Sequence, residues 1–437
     1  MNEAAGRTPS AGTGDQAPGV GEQAGGGAAD PGAATSDEAG GGGAAKARDA
    51  AGSRQARTIL PGATVGILGG GQLGRMMALA GSAMGYRFVA LDPTADAPCG
   101  QVAEQIVAAY DDREAARELA GRADVITYEF ENVDADVAAM LMDESYVPQG
   151  SRLLHTTQHR LREKRAIEAA GVPVAPYAQI GSEAELREAA ARLGLPAVLK
   201  TATGGYDGKG QWVIRSEAEI APAYAELSRA GTELVLEQFI RFDKELSVIA
   251  ARSPRGEVQT FPVAENVHVD NILHLSIVPA RIPAEIQERA RSLAVRIAAG
   301  LDAVGLIAVE MFLTAGGELY VNELAPRPHN SGHYTMEACR TSQFEQHVRA
   351  VCNLPLGGTE LLTPVVMVNA LGEHVEPLLR RIGMADEAAA RLGVEPKLHL
   401  YGKHEAKSKR KMGHVNVLAP NVEAALAWIT ETNIWRV

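Results

Sequence analysis

The sequence of 437 residues contains few cysteines and no long apolar run. Its three cysteines, Cys99, Cys339 and Cys352, match neither a metal motif nor a disulfide framework in their spacing. Such sparse use of cysteine suits a reducing compartment, and we expect a cytoplasmic protein. Because no stretch of about 18 apolar residues occurs, we expect no transmembrane helix and no membrane partner.

The sequence also lacks an excess of positive charge. Its formal net charge of −12 argues against general affinity for nucleic acid, and we expect no nucleic-acid partner. A local basic site remains compatible with this total. The length of the chain is enough for about two to four domains.

Residues 1–57 have almost no aliphatic or aromatic side chains and are dominated by glycine and alanine. Such a segment cannot bury enough apolar surface to offset the entropy that ordering would cost. We therefore predict a disordered tail that catalysis does not need. The segment has no apolar stretch of the kind found in secretory signals, so we expect no such signal here.

The segment after the tail reads as a strand, a glycine turn and a helix. The strand is predicted at 64–68, the spacing G-x-G-x-x-G starts at Gly69, and the helix starts at Arg75. A second strand ends at Asp92, which completes the fingerprint of a dinucleotide-binding unit. This pattern predicts a Rossmann-like domain and leaves an NAD-dependent oxidoreductase open as a function.

Two acidic residues, Glu129 and Glu131, follow another predicted strand of this domain. Open α/β sheets bind ligands at the carboxyl ends of their strands, so both carboxylates are candidate site residues. Solvated acids in a loop explain the same pattern equally well.

A glycine-rich loop, KTATGGYDGKGQW, runs from Lys200 to Trp212 between two β-like segments. It holds more glycine than a hairpin turn requires, and each added glycine raises the cost of ordering. Backbone N–H groups unshielded by Cβ atoms can approach a polyphosphate, and Lys200 and Lys209 add positive charge. The loop is not a Walker P-loop, because Thr203 and Gly210 stand where that motif requires glycine and Ser or Thr. Composition alone leaves phosphate binding and a simple turn both open.

The segment LIAVEMFLTAGGELYVNELAP predicts a β-hairpin. With a two-residue turn at Gly316-Gly317, Glu310 lies directly opposite Glu323. Like charges in that arrangement destabilise a sheet through repulsion, whereas a divalent cation between them would make the interaction attractive. Carboxylate oxygens suit magnesium that also binds phosphate, so we predict a magnesium site. The alternative is that both carboxylates face water at a sheet edge.

A loop rich in polar donors, NELAPRPHNSGHYT, follows the hairpin. Its residues Arg327, His329, Asn330 and His333 together suit an anionic ligand with several polar groups. A basic segment, YGKHEAKSKRKMGHV, lies near the end of this acidic chain. It is either a solvated face or a phosphate site in which arginine binds through two hydrogen bonds.

The order of these motifs resembles the ATP-grasp superfamily and, within it, the 5-(carboxyamino)imidazole ribonucleotide synthase family. GGYDGKGQ together with APRPHNSGHYT is highly specific, and the resemblance extends from about residue 62 to the end. It implies an α/β chain with the ATP-grasp fold and an α+β lid. The implied domains are a Rossmann-like domain at 58–153, a linker helix and lid at 154–236, and a carboxyl-terminal ATP-grasp and substrate domain at 237–437.

By this resemblance, ATP lies between the lid and the carboxyl-terminal domain. Glu310 and Glu323 would hold magnesium, which agrees with the hairpin register. The residues implied to contact ATP are Arg160, Lys200, Gly205, Tyr206, Asp207, Gly208, Lys209, Gly210, Gln211, Glu237, Gln238, Phe239, Ile240, Glu245, His268, Asn322 and Glu323.

The resemblance also implies the reaction. Bicarbonate attacks the γ-phosphate of ATP to give carboxyphosphate, which supplies the carboxyl group to the exocyclic amine of aminoimidazole ribonucleotide. The residues implied near the reacting centre are Tyr206, Asp207, Arg327, His329 and Asn330. Those implied to bind the ribonucleotide are Gln72, Leu73, Arg327, Asn330, Ser331, Lys403 and Arg410.

The family further implies a homodimer that uses neither NAD nor biotin. The glycine turn at Gly69 would then contact the ribonucleotide rather than a dinucleotide. Three alternatives stay open: an NAD-dependent oxidoreductase, another ATP-grasp ligase that acts on biotin or amino acids, and a nucleotide-binding module without turnover.

Overall fold

The computed structural model describes residues 56–131, 133–204, 209–231, 233–382 and 384–435. Residues 1–55 of the predicted tail lie outside these ranges. So do four residues of the predicted lid loop: Gly205, Tyr206, Asp207 and Gly208. Among the described helices, none combines the length and the apolar character that crossing a membrane requires.

The amino-terminal domain is a parallel sheet with helices beside it. It comprises β1 (Thr64–Leu68), α1 (Gln72–Ala83), β2 (Arg87–Leu91), β3 (Glu104–Ile106), α2 (Arg113–Arg122), β4 (Val125–Tyr128), α3 (Ala135–Glu144) and α4 (Arg152–Thr157). The strand order is β3-β2-β1-β4, and every pairing is parallel. Strands β1, β2 and β4 are almost continuously buried, as is usual for parallel strands covered by helices.

Helix α1 begins at Gln72 rather than at the predicted Arg75. The turn is shorter than expected, because Gly71 already serves as the extended N-cap residue. Gly69 has φ +110°, which glycine adopts readily, and a Cβ at this position would overlap the side chain of Glu129. The tight turn therefore brings its backbone N–H groups against a carboxylate.

The segment before β1 is attached to the folded domain. The guanidinium carbon of Arg57 lies 5.5 Å from the centre of the Tyr146 ring. The buried Ile59 donates its N–H to the carbonyl oxygen of Cys352 at 2.9 Å. The tail predicted to end at residue 57 thus includes a residue that contacts the domain.

Deletion of residues 2–55 is expected to leave kcat and KM for every substrate nearly unchanged, because the attached segment begins after them. Deletion of residues 2–62 is the control, since it also removes the buried Ile59, whose loss costs on the order of 2–5 kcal/mol. The thermal midpoint should fall for the longer deletion only. A large loss of activity in a still-folded shorter truncation would show that the tail contributes to catalysis.

The second domain is a small antiparallel sheet preceded by a linker helix. Its elements are α5 (Arg160–Ala169), β5 (Tyr177–Ile180), α6 (Glu183–Leu193), β6 (Ala197–Thr201), β7 (Gln211–Ile214), α7 (Ile220–Leu227) and β8 (Leu234–Gln238). The strand order is β5-β8-β6-β7. Ser182 caps α6 by accepting the N–H of Glu185 at 3.2 Å. The predicted lid boundary at residue 236 lies inside β8, since Gln238 still pairs with Ala197 of the same sheet.

The remaining chain forms a nine-stranded sheet with helices. Its elements are β9 (Lys244–Arg252), β10 (Val258–Thr260), β11 (Ala264–Val269), β12 (Ile272–Val278), α8 (Ala284–Gly300), β13 (Gly305–Leu313), β14 (Leu319–Ala325), α9 (Thr335–Ala338), α10 (Gln343–Val351), β15 (Val365–Leu371), α11 (Gly372–Ile382), α12 (Glu387–Leu392), β16 (Glu395–Leu400), β17 (Lys411–Leu418) and α13 (Val422–Glu431). The strand order is β14-β13-β9-β11-β12-β15-β17-β16, and β10 pairs with β9.

Two helices fix the position of this sheet. Helix α8 buries Ala290, Ala294 and Ile297 against the apolar face of β9 and β13. Helix α10 also contacts β13, and it places Phe344 and Val348 in the core of the amino-terminal domain. The glycine turn of that domain is therefore held next to the large sheet.

Candidate active site

A buried ion-pair cluster lies in the small sheet, behind the glycine-rich loop. The register sets Glu237 opposite Val198, which places it diagonally across from Lys200 on the same face. The Lys200 Nζ is 3.0 Å from one carboxylate oxygen of Glu237, and the Lys164 Nζ of α5 is 3.2 Å from the other. Burial alone would raise the pKa of Glu237, but the two lysines outweigh it and hold that pKa below its usual value.

Three further residues implied to contact ATP, Gln238, Phe239 and Ile240, directly follow Glu237 in the chain. Phe239 and Ile240 lie in the connection between β8 of the small sheet and β9 of the large sheet. Phe239 donates its N–H to the carbonyl oxygen of Pro196 at 3.3 Å, and the residue as a whole remains 37% exposed. The amide of Gln238 donates to Leu193 at 3.3 Å and so points into the small domain.

The loop returns to the small sheet beside Lys200. Gly210 accepts the N–H of Thr201 at 2.8 Å, and Gln211 pairs with Lys200 across β6 and β7. The predicted contacts Gly205, Tyr206, Asp207 and Gly208 lie outside the described residues, between these two fixed ends.

The two carboxylates of the predicted metal site do lie directly opposite each other. Glu310 of β13 pairs with Glu323 of β14, so the predicted register is correct at this position. The predicted two-residue turn was wrong, however. Gly317 donates its N–H to Thr314 at 3.0 Å and has φ +86°, which indicates a four-residue turn over 314–317.

A β-bulge accounts for the agreement. Near the turn the strands are offset by one position from the prediction, with Phe312 opposite Tyr320. The register shifts again between Glu310 and Met311, and Asn322 is the extra residue. The bulge thus cancels the offset of the turn and restores the carboxylate pair, beside the predicted ATP contact Asn322.

The environments of these two carboxylates differ. Glu310 lies 3.0 Å from the Nε2 of His329, and this contact outweighs burial to hold the pKa of Glu310 below its usual value. Burial and then the charge of Glu310 raise the pKa of Glu323. Arg160 approaches Glu323 at 3.7 Å. Within the described ranges no cluster of three or more His, Cys, Asp or Glu side chains could hold a metal, so phosphate or water oxygens would complete a site built on this pair.

His329 is oriented by hydroxyl groups behind it. Its Nδ1 lies 2.9 Å from the Ser331 hydroxyl, which accepts a hydrogen bond from Ser247 at 2.8 Å. With Nδ1 accepting from Ser331, the proton of neutral His329 is on Nε2 and points at Glu310. The NSG turn therefore holds the imidazole against the carboxylate pair.

A second ion pair joins the polar loop to the amino-terminal domain. The Arg327 guanidinium binds both carboxylate oxygens of Glu131, with one Nη2–Oε1 distance of 3.1 Å. Burial would raise the pKa of Glu131, but Arg327 outweighs it and lowers that pKa. Glu131 is thus a partner of Arg327 rather than a solvated acid.

The remaining polar residues of the loop differ in role. The Asn330 amide donates to Asn369 at 3.1 Å, but its buried Oδ1 accepts from no group in the described structure, which fits a ligand N–H. The expectation that His333 faces an anionic ligand was wrong. His333 is buried, its Nδ1 lies 3.0 Å from the Gln343 amide, and burial lowers its pKa well below the usual value.

The glycine turn that resembles a dinucleotide site is filled by the chain itself. The Glu129 carboxylate accepts the N–H groups of Gly71 and Gly74, the latter at 2.5 Å. Asp92, the acid of the fingerprint, accepts the N–H of Gly70 at 2.8 Å. A dinucleotide pyrophosphate would need these donors, which the two carboxylates already occupy, and the predicted contacts Gln72 and Leu73 directly follow at the start of α1.

The basic segment divides into two parts. The half-buried Lys403 donates to the Lys411 carbonyl at 2.8 Å, and burial, reinforced by Arg410, lowers the pKa of Lys403 to about 8. The charge of Glu129 also acts on Lys403, so the segment reaches the glycine turn of the other domain. Arg410 is exposed and donates to Glu405 at 3.1 Å.

Other basic residues of the segment form ordinary surface pairs. Lys407 lies 2.6 Å from Glu405, and Lys409 lies 2.9 Å from Asp270. Gln101 donates to Gly402 at 2.8 Å and attaches the segment to the amino-terminal domain. The basic segment is therefore held against the amino-terminal domain next to Lys403.

Two predicted ATP contacts, Glu245 and His268, bind each other on adjacent strands β9 and β11. Burial alone would lower the pKa of His268, but the Glu245 and then the Glu310 carboxylates outweigh it and raise that pKa. Glu310 pairs with Ser247, two residues along β9 from Glu245, so this pair lies near the carboxylate site.

Sequence reasoning missed two charged residues of α5, Glu163 and Lys164. Both are buried: Lys164 lies against Glu237, and Glu163 accepts the N–H of Leu324, the residue after Glu323. Their spacing from Arg160, three and four residues, places all three on one helical face. That spacing could have indicated a shared functional face, but the many charges of LREKR suggested a helix exposed to solvent on all faces.

Comparison with known protein families matches three consecutive parts of the chain. Residues 62–158 match the ribonucleotide synthetase preATP-grasp domain, and residues 165–344 match the ATP-grasp domain. Residues 365–427 match the phosphoribosylaminoimidazole carboxylase C-terminal domain. The first match covers the parallel sheet, the second covers the small sheet together with β9 to β14 of the large sheet, and the third covers β15 to β17 of the large sheet.

Individual relatives cover almost the same part of the chain. The N5-carboxyaminoimidazole ribonucleotide synthase of Bacillus subtilis (strain 168) is 55% identical over 379 residues, 86% of this chain and 96% of the relative. The ADP complex of N5-carboxyaminoimidazole synthetase from Staphylococcus aureus aligns with a TM-score of 0.80 at 40% identity, covering 86% of this chain and 98% of that one. The Aspergillus clavatus enzyme, in complex with ADP and 5-aminoimidazole ribonucleotide, aligns with a TM-score of 0.77 at 31% identity, covering 85% and 97%.

These similarities confirm the predicted α/β ATP-grasp fold. The identities are too high, and the coverage too complete, for a likeness of fold alone. The chain therefore belongs to the N5-carboxyaminoimidazole ribonucleotide synthase family of ATP-grasp ligases.

Proposed function

We propose that the protein couples cleavage of ATP to carboxylation of 5-aminoimidazole ribonucleotide by bicarbonate, in purine biosynthesis. The products are 5-(carboxyamino)imidazole ribonucleotide, ADP and phosphate. The observation that carries this proposal is the contact between Glu310 of the carboxylate pair and His329 of the donor-rich loop, at 3.0 Å. Groups that would bind the ATP phosphates thus lie next to groups that would bind the ribonucleotide, as transfer of a carboxyl group between two bound substrates requires.

The lid and the carboxylate pair would bind the phosphates of ATP and the magnesium ion. Lys200 would neutralise phosphate charge, and the loop that begins at this residue would cover the phosphates. Glu310 and Glu323 fit magnesium because they supply oxygen donors only and stand directly opposite each other. When bound, magnesium supplies charge neutralisation and orientation of the phosphate oxygens.

The polar loop, the basic segment and the glycine turn of the amino-terminal domain would bind the acceptor substrate. The unpartnered Oδ1 of Asn330 would accept an N–H of the exocyclic amine and orient that amine for carboxylation. Arg327, held by Glu131, would stabilise the charge that develops on the carboxyl group. Lys403 and Arg410 would bind the 5′-phosphate, with Gln72 and Leu73 at the adjacent turn.

Carboxyphosphate must form away from water, because water would hydrolyse it before transfer. We infer that Tyr206 and Asp207 of the loop complete the enclosure near the reacting centre. Their role stays a prediction, since both lie outside the described residues.

The proposal is tested by measuring ADP release with one component omitted at a time. Release should require magnesium and rise strongly when aminoimidazole ribonucleotide and bicarbonate are both present. Biotin or free amino acids should not replace the ribonucleotide. Equal stimulation by any of those alternative acceptors would instead assign the chain to a different ATP-grasp reaction.

Arg410→Ala should raise the KM for the ribonucleotide while leaving the KM for ATP nearly unchanged. A lost hydrogen bond to a charged group costs about 1.5–3 kcal/mol, which corresponds to a rise of roughly ten- to a hundredfold. Lys407→Ala is the matched control, because Lys407 lies in the same exposed segment but pairs with Glu405. An equal rise in both KM values for Arg410→Ala would indicate a general defect of the fold or lid.

A homodimer and a cytoplasmic location are further proposals that the family resemblance supports. Sedimentation equilibrium of the purified chain tests the first, and a monomer at all concentrations would contradict it. Fractionation of the native cells tests the second, and recovery with the membranes would contradict it.

A further inference from the structure

One face of helix α5 contacts both halves of the candidate active site. Arg160, Glu163 and Lys164 stand at positions i, i+3 and i+4, which share one face of a helix. Arg160 belongs to the predicted ATP contacts and approaches Glu323 at 3.7 Å. Glu163 and Lys164 are both buried, yet the function described above gives neither of them a role.

Lys164 acts on the small-sheet half of the site. It is 1% exposed, and its Nζ lies 3.2 Å from the Glu237 Oε1 without hydrogen-bond geometry. Lys200 binds the other oxygen of Glu237 at 3.0 Å. Two buried cations thus share one buried anion, and the cluster carries one positive charge that a phosphate or base acceptor would compensate.

Glu163 acts on the large-sheet half. It is 3% exposed, and its Oε1 accepts the backbone N–H of Leu324 at 2.8 Å. Leu324 directly follows Glu323, at the end of the β-bulge that restores the carboxylate pair. The hydrogen bond therefore fixes the backbone from which the Glu323 side chain extends.

We propose that Glu163 and Lys164 are positioning residues through which α5 aligns the two halves of the nucleotide site. Lys164 orients Glu237 and, through it, Lys200, whereas Glu163 fixes Glu323 for its role toward magnesium. This inference rests on the proposed function only in taking ATP and ADP as the ligands. Because the two residues are consecutive on one rigid helix, movement of one half would be transmitted to the other.

Equilibrium binding of ADP, measured by calorimetry with and without magnesium, separates the two roles. Lys164→Met should weaken ADP binding about tenfold without magnesium, because it removes one of two partners of Glu237. Glu163→Leu should leave the ADP affinity without magnesium within about twofold of the wild-type value. It should nevertheless reduce several-fold the factor by which magnesium increases the ADP affinity. Glu163→Gln should restore that factor, because the amide oxygen can still accept the N–H of Leu324.

A matched control and a double variant distinguish positioning from a loss of packing. Lys244→Met breaks a similar pair, 2.8 Å between Lys244 and the buried Glu265, and should not change ADP binding. In a Glu237→Gln background, Lys164→Met should have little further effect, because both substitutions act through one contact. Lys164→Gln, with the same expected direction, replaces the methionine variant if that variant does not fold.

The outcomes separate two failures. If the wild-type protein does not bind ADP, the proposed function and this inference fall together. If the wild type binds ADP but the Lys164 and Glu163 variants match it with and without magnesium, only the positioning roles are overturned. Additive effects of Lys164→Met and Glu237→Gln, or failure of Glu163→Gln to restore the magnesium response, would likewise overturn them.

Discussion

Glu323→Gln is expected to lower magnesium-dependent ADP formation by about a hundredfold, the scale of losing one group that organises transition-state charge. The amide keeps the size of the side chain but removes the charge that a cation requires. The fold should be unaffected or stabilised, because the substitution removes repulsion from Glu310 directly opposite. Measured without metal, the thermal midpoint of the variant should therefore equal or exceed that of the wild type.

The control for this prediction is a surface glutamate. Glu360 is 67% exposed in its side chain and pairs with Arg340 at 3.4 Å. Glu360→Gln should change neither the rate nor the magnesium dependence, since an exposed pair is worth at most about 1 kcal/mol. The magnesium site would be refuted if Glu323→Gln turned over ATP at the wild-type rate with the same metal dependence.

Arg327→Met should lower the rate of ribonucleotide carboxylation by about a hundred- to a thousandfold, as for removal of one preorganised donor. Arg327 is held by two hydrogen bonds to Glu131 and lies two residues before His329 in the same polar loop. Magnesium-free ADP binding should remain close to normal, because the guanidinium lies on the acceptor side. Single-turnover rates and ADP affinity measured on one preparation make this comparison.

Removing one member of an ion pair leaves the other uncompensated, so loss of stability must be separated from loss of chemistry. The double variant Glu131→Gln/Arg327→Met removes both charges and should recover much of any fall in thermal midpoint. Its catalytic rate should stay low. Recovery of the rate together with the stability would show that Arg327 only holds the domains together.

Local patterns in the sequence predicted the elements that carry the site. The strand at Thr64–Leu68 was correct, since an apolar run followed by glycines has few other local solutions. The pairing of Glu310 with Glu323 was also correct, although the turn was not. The turn type and the bulge each shift the pairing of β13 with β14 by one residue. No single residue in the sequence indicated that these two shifts cancel.

The contacts that sequence reasoning missed join residues far apart in the chain. Glu129 fills the glycine turn, and Lys164 binds Glu237, because tertiary packing brings their helices and strands together. His333 was misassigned for the same reason, since its polar neighbours in sequence gave no sign of its burial. Periodicity and motif spacing describe one element at a time, so pairings between separate helices, strands and turns required the structure.

The most direct test of the account follows labelled bicarbonate through the reaction. The protein is incubated with ATP, magnesium, aminoimidazole ribonucleotide and labelled bicarbonate, and ADP and label are quantified together. The label should enter an acid-labile carbamate on the ribonucleotide, with up to one label for each ADP formed. ADP formation without label ever reaching the ribonucleotide, while biotin or an amino acid is modified instead, would contradict the carboxylase function and leave only the fold.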